Sequence, residues 1–346
     1  MPPRQKDKDD QASLKALMAD LKDKRIRNLY VFHGEEAYLR EHYLGQLREL
    51  LLPEGMEAFN LKVLEGKDLD VRDITAACDC LPMMAQRTLV LVRDYDLFKA
   101  NEADRQSLMD YFADLPEYLC LVFVYDTVPY KPDARTKLAG ALKEHGLVVD
   151  FPRQEQGDLV DWIVRRFRAT GHDVDSETAK YLIFLCGDLM HNLASEIGKI
   201  GAYAKGKRIT RQDIDALATP QLDAVVFQLT DALSARNYDK ALGTLSDLLR
   251  MQEVPQVILG ALGKYLRQLY AARAALESRR SADDLAALWK MHPYPAGKLM
   301  AAAQRVSLSW CRTALDKAAW ADQAMKSTGN APGDVLTDLV LSLANG

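Results

Sequence analysis

Leu29-Tyr30-Val31-Phe32-His33-Gly34 reads as a short buried strand ending in glycine, and Glu35-Glu36-Ala37-Tyr38-Leu39-Arg40-Glu41 opens a leucine-rich helix. A strand, a glycine turn and a helix N-terminus form the scaffold on which a phosphate loop holds nucleotide. Counted from Gly34, that motif asks for a second glycine at position 39, lysine at 40 and a hydroxyl at 41. The chain has Leu39, Arg40 and Glu41 instead. The close backbone approach to phosphate is lost with the glycine, and the magnesium hydroxyl is lost as well. Glu35 and Glu36 add negative charge where an anion would sit. Gly34, Glu35, Glu36 and Arg40 therefore mark a degenerate phosphate loop, and ATP hydrolysis is not expected there. The strands ending in Arg93-Asp94-Tyr95-Asp96 and Tyr125-Asp126 do not restore it, because neither supplies a magnesium aspartate followed by a catalytic glutamate.

No other constellation carries catalysis. The six histidines (His33, His42, His145, His172, His191, His292) are scattered, with no metal-ligand spacing among them. Cys78-x-Cys80 lacks a second half, and no serine sits in a nucleophile elbow. His33 at a strand end reads as structural. The expectation is a protein without catalytic residues, metal or cofactor.

Leu81-Pro82-Met83-Met84 is a different kind of signal. Pro82 cannot continue the helix predicted over Val71–Ala77, so three large apolar residues fall on a turn before the strand Thr88–Val92. Two readings stay open: packing beneath the sheet edge, or an exposed apolar plug for a partner's pocket, where flexible thioethers suit an adaptable contact. Basic residues gather at Arg165, Arg166 and Arg168, and again at Lys199, Lys205, Lys207, Arg208 and Arg211. They form a solvated face or a sequence-blind contact to a phosphate backbone. Base stacking is not indicated by this distribution. Trp289, Tyr294, Trp310 and Trp320 read as helix-packing groups.

The elements that must position these groups follow from patterning. Strands are expected at Leu29–Phe32, Phe59–Leu64, Thr88–Val92, Leu119–Tyr125 and Gly146–Phe151. Runs such as Leu121-Val122-Phe123-Val124, alternating with helices, suit a parallel sheet buried on both faces. Residues 1–11 read as a disordered tail, with Ser13 capping a first helix. After Pro152 the pattern turns helical: a small unit in which Ser176 caps one helix and Gly187 ends it, then successive amphipathic helices from Asp223 onward. At 346 residues, 48% hydrophobic and 27% charged, two or three domains are expected. A net charge of −4 makes the whole chain no magnet for nucleic acid or lipid. Five cysteines, an odd number in mostly apolar stretches, favour reduced thiols and the cytoplasm. Met1–Asp10 lacks the apolar core of a signal peptide, and no stretch is apolar and long enough to span a bilayer.

Taken together, these stretches resemble the delta-subunit family of bacterial DNA polymerase III clamp loaders. Residues 28–39 resemble its opening strand and Gly-Glu-Glu turn, and residues 81–90 its helix-to-strand turn. Gly187-Asp188-Leu189 through Lys199-Ile200 resembles its lid helix, and Ile209–Ile214 the short helix start that follows. The resemblance implies an α/β AAA+-like parallel-sheet domain (23–152) after an N-terminal tail and helix (1–22). A small helical lid domain (153–219) and an all-α collar or oligomerisation domain (220–346) would follow. It implies clamp binding by Leu81, Pro82, Met83 and Met84, and opening of the sliding clamp (beta) without ATP hydrolysis by this chain. It further implies a pentamer with the ATPase subunits (gamma/tau) and delta-prime, within an assembly that carries DNA-directed DNA polymerase activity. Primer-template DNA would be met through that assembly, with Lys205, Lys207, Arg208 and Arg211 as candidate phosphate contacts and no membrane involved. The family's apolar pair is commonly Leu-Phe or Phe-Phe, and here it is Met83-Met84. An active phosphate-loop ATPase and a helical scaffold unrelated to replication are the competing readings.

Overall fold

The computed structural model describes residues 5–66, 69–133, 135–289, 291, 293–327 and 329–344. His292 and residues 1–4 of the expected tail lie outside them. The chain divides into two compact units, residues 1–154 and 155–346.

The first unit runs α1 (Gln5–Lys22), β1 (Leu29–His33), α2 (Ala37–Leu51), α3 (Glu57–Asn60), β2 (Leu61–Glu65) and α4 (Val71–Cys78). It continues with β3 (Thr88–Arg93), α5 (Glu102–Ala113), β4 (Leu119–Val124), α6 (Lys137–His145) and β5 (Leu147–Asp150). The strands form a parallel sheet in the order β2-β3-β4-β1-β5. Alternate residues of each strand enter opposite cores, as the pleat requires. Leu121 and Phe123 pack with Ile74, Leu108, Phe112 and Leu142 on one face. Val122 and Val124 pack with Leu17, Leu44 and Leu47 on the other. A sheet covered on both faces needs apolar residues at successive positions, which explains the Val/Leu runs of β3 and β4.

Several strand and helix ends shift by a residue from the sequence expectation, and three differences have a clear cause. α1 begins at Gln5 rather than at a Ser13 cap, because extending a helix already anchored at buried Leu17 adds a hydrogen bond per residue at little nucleation cost. The second strand begins at Leu61, since Phe59 and Asn60 belong to the single turn α3. α8 is capped by Asp175, whose carboxylate accepts from the Thr178 N–H at 2.8 Å, and not by the neighbouring Ser176.

The second unit is helical: α7 (Gln156–Ala169), α8 (Ser176–Cys186), α9 (Met190–Tyr203), α10 (Arg211–Leu217), α11 (Leu222–Ser234) and α12 (Tyr238–Arg250). Then come α13 (Pro255–Glu277), α14 (Ala282–Trp289), α15 (Pro293–Ala303), α16 (Leu308–Ser327) and α17 (Pro332–Ala344). Its largest core joins α11, α12, α13, α16 and α17 through residues such as Leu229, Leu245, Leu262, Ala321 and Leu339. Thr210 and Asp213 form a reciprocal capping box at the start of α10. Gly187 ends α8 at φ +83, where a Cβ would meet the Gln221 side chain at 2.4 Å. Trp320 is 58% exposed, so it is not the packing group expected from sequence: it lies on the side of α16 away from buried Ala314, Ala318 and Ala321. Among the described residues no helix is long and apolar enough to cross a membrane.

Candidate functional site

The degenerate phosphate loop lies at the C-terminal ends of the strands. Gly34 leaves β1 at φ +120, and a Cβ there would come within 2.4 Å of the Phe151 carbonyl, so glycine is required. Glu36 caps α2 with its own carboxylate, which accepts from the Tyr38 N–H at 3.3 Å. One of the donors that a phosphate would use is thus already engaged. Glu35 is exposed and pairs with Arg153 at 3.1 Å.

Arg40 completes the closure. Helical side chains lean towards the N-terminus, which carries this one back over the loop. It is 3% exposed and donates from Nη1 to the Gly34 carbonyl at 2.8 Å. Its Nε and Nη2 donate to Oδ1 of Asp126, just beyond β4, at 3.1 and 2.7 Å. Arg93 at the end of β3 holds the other Asp126 oxygen at 2.6 Å and Glu41 at 2.9 Å. Next to it, Asp94 accepts the N–H groups of Asp126, Thr127 and Val128 and the Thr127 hydroxyl. Burial works against the Asp94 charge, but those N–H donors hold its carboxyl below the ordinary range. The groups at this edge do not suit a nucleotide phosphate: the Arg40 guanidinium is packed onto the loop and bound to the Asp126 carboxylate, and the Glu36 carboxylate caps the helix that would receive the anion.

The apolar turn lies at the opposite edge of the sheet, before the N-terminal end of β3. Six residues of strand separate the two places, about 20 Å at 3.3 Å per residue. Leu81 is 75% exposed, Met83 54% and Met84 81%, with Pro82 half-buried, so packing beneath the sheet edge does not occur. The backbone of the turn is nevertheless tightly held. Asn60, fully buried, donates to the Met83 carbonyl at 2.9 Å and accepts from the Met83 N–H at 2.7 Å. The Thr88 hydroxyl donates to the Cys80 carbonyl at 3.1 Å, and Arg87 donates to the Ile26 carbonyl at 2.8 Å. Phe59, beside Asn60, and Val63, on the edge strand β2, are also exposed. Sequence reading missed Asn60 and Phe59 because both fall within what looks like a continuous strand. The unused polar residue just before Leu61 was the available signal.

The remaining candidates lie in the second unit. Lys205, Lys207, Arg208 and Arg211 are exposed. Arg208 pairs with Asp175 at 2.8 Å and Lys207 lies 3.9 Å from Asp173, so part of their charge is neutralised. The Arg208 guanidinium holds the Asp175 carboxyl at about 2. Aromatics do meet these cations: Arg211 lies 5.3 Å from the ring centre of Tyr181, distant in sequence, and Arg166 lies 5.5 Å from Trp162, one turn earlier on α7. Burial pushes the Cys78, Cys120 and Cys186 thiols up to about 12, whereas Cys80 is exposed. His33 stacks on Tyr130 and lies 3.4 Å from Asp150. Among the described residues no group of three or more His, Cys, Asp or Glu could hold a metal ion.

The chain is similar in sequence and fold to known proteins. Residues 30–152 match the family described as DNA polymerase III, delta subunit, and residues 223–343 match its C-terminal domain. The chain is 24% identical over 328 residues to DNA polymerase III subunit delta of Bacillus subtilis, covering 93% of this chain and 94% of that one. It is 23% identical over 253 residues to the probable DNA polymerase III subunit delta of Aquifex aeolicus, covering 71% and 70%. The solved Bacillus subtilis DNA clamp loader delta protein superposes with a TM-score of 0.59 at 22% identity, covering 96% of this chain and 99% of that one.

Proposed function

The chain belongs to the DNA polymerase III delta-subunit family, and from that premise we propose that it binds and opens the sliding clamp of DNA replication without hydrolysing ATP. The observation that carries the proposal is the turn at Leu81–Met84, whose apolar side chains are exposed while its backbone is fixed by Asn60. A rigid apolar projection has little ordering entropy to lose on docking, and its side chains have no partner within the turn. Together with Phe59 and Val63 it offers a partner an apolar corner that a monomer has no reason to keep wet.

ATP bound by neighbouring subunits would rearrange the assembly and free this corner to press into a clamp pocket. If the pocket in the opened clamp accepts the turn better than the closed one, binding shifts the clamp population towards open. The chain needs no hydrolysis for this, and the Arg40–Asp126 pair favours that reading because it occupies the loop a nucleotide would use. We further propose residues 153–219 as a lid and 220–346 as a collar that joins the ATPase subunits and delta-prime by helix packing. Lys205, Lys207, Arg208 and Arg211 would meet primer-template phosphate in a salt-dependent, sequence-blind way.

The decisive experiment is Leu81→Ala with Met83→Ala. Each side chain grosses about 1.5–3 kcal/mol when buried, so the double variant should lose measurable clamp binding while its thermal midpoint and its assembly with the ATPase subunits stay unchanged. Clamp affinity equal to that of the parent chain would remove the proposal.

A further inference from the structure

The turn carries two thioethers where an aromatic or a leucine would pack as well. Met83 and Met84 are among the most solvent-accessible large apolar residues of the first unit, whereas Met190 and Met300 are buried. We propose that Met83 and Met84 are a modification site: peroxide-class oxidants convert them to sulfoxides, and this reversibly switches off docking of the turn. The inference rests on the reading of the turn as the clamp-binding surface.

The chemistry balances. A sulfur lone pair attacks one oxygen of hydrogen peroxide, the O–O bond breaks and an S=O bond forms. Sulfur is oxidised by two electrons, and the peroxide is reduced to one water. A dithiol reductase reverses the step, releasing the oxygen as water and closing a disulfide on the reductase. Accessibility decides which methionine reacts, and both residues stand outside the core.

The structure explains why such a change would act on binding and not on folding. The hydrogen bonds that hold the turn use the Met83 backbone and the Asn60 side chain, with no part for either sulfur. Oxidation therefore leaves the turn in place but puts a strong acceptor on its tip. Docking would then bury that acceptor in an apolar pocket without a donor.

The test uses the full chain carrying Cys80→Ser, because the exposed Cys80 thiol would react with peroxide as well. After hydrogen peroxide treatment, peptide mass spectrometry locates the sulfoxides and binding to the purified sliding clamp is measured. Oxidation at Met83 and Met84 should weaken binding about 10- to 100-fold, leave the thermal midpoint unchanged and be reversed by methionine sulfoxide reductases. The same chain with Met83→Leu and Met84→Leu, read against its own untreated affinity whatever that value is, should show no change on treatment, even though Met18 and Met251 are exposed too. Unchanged affinity of the doubly oxidised chain, or an equal loss in the leucine variant, would overturn the inference. Failure of the untreated chain to bind clamp would instead overturn the docking reading, and this inference with it.

Discussion

At the C-terminal ends of β1, β3 and β4, Arg40, Arg93, Asp126 and Glu41 satisfy one another, and Gly34 gives its carbonyl to Arg40. At the N-terminal end of β3 the polar groups are satisfied too, by Asn60 and Thr88, but the apolar side chains of Leu81, Met83 and Met84 remain in water. The first region has the outline of a phosphate loop but is held together by its own ion pairs. The second is built on an ordinary helix-to-strand connection and is left with unmet apolar surface. What remains unsatisfied points to function more clearly than what the scaffold resembles.

If the closed edge is structural, removing its central cation should damage the fold and spare the docking corner. Arg40→Ala leaves the Gly34 carbonyl without its donor and strips Asp126 of one of two cations, so it should destabilise the chain by about 3 kcal/mol in urea unfolding. Clamp affinity measured under native conditions should not move. A variant that kept full stability, or that gained ATP binding together with weaker clamp binding, would break the distinction between the two edges.

Acid offers a second way to separate them. The Asp94 carboxyl is held below its ordinary range by the Val128, Thr127 and Asp126 N–H groups after burial has worked against it. Its contribution to stability is therefore complete above the unfolded carboxylate value of about 3.9 and is lost as pH falls through the lower folded value. Asp94→Asn should destabilise the chain by about 2 kcal/mol near neutral pH, and the gap to the parent should close as unfolding is measured below pH ~4. A gap that stayed constant into acid would show that shape, not charge, is what Asp94 supplies.

The two edges were unequally legible in the sequence. The sheet could be read because two-sided burial forces unbroken apolar runs, and the departures of Leu39, Arg40 and Glu41 from a phosphate-loop motif could be read because that motif is contiguous. Its replacement could not: Arg40 and Asp126 are 86 residues apart, and nothing local announces their pair. For the turn, Pro82 showed that the helix must stop, but what fixes its backbone is Asn60, which reaches Met83 across 23 residues. The cap of α8 was misplaced by one residue because Asp175 and Ser176 are both good caps, and only the carboxylate of Asp175 meets the Thr178 N–H. Trp320 escaped because an apolar residue on an amphipathic helix is packed by default, and the alanine stripe that α16 buries faces elsewhere.

The smallest expected effect sharpens the comparison most. Asn60 touches no clamp in the proposed reading, yet it holds the Met83 N–H and carbonyl and the Met56 carbonyl. In Asn60→Ala the freed groups at Met83 lie in an exposed turn where water can replace the side chain, so stability should fall by only about 1 kcal/mol. The turn itself becomes free to sample other conformations, and fixing even one residue's backbone on docking costs about 1–2 kcal/mol. Clamp affinity should therefore drop roughly 10-fold with Leu81, Met83 and Met84 all intact, a loss that calorimetry of the variant with purified clamp would register. Full affinity in that variant would mean the side chains dock without a pre-formed turn, and the rigidity of this corner would then have no part in its work.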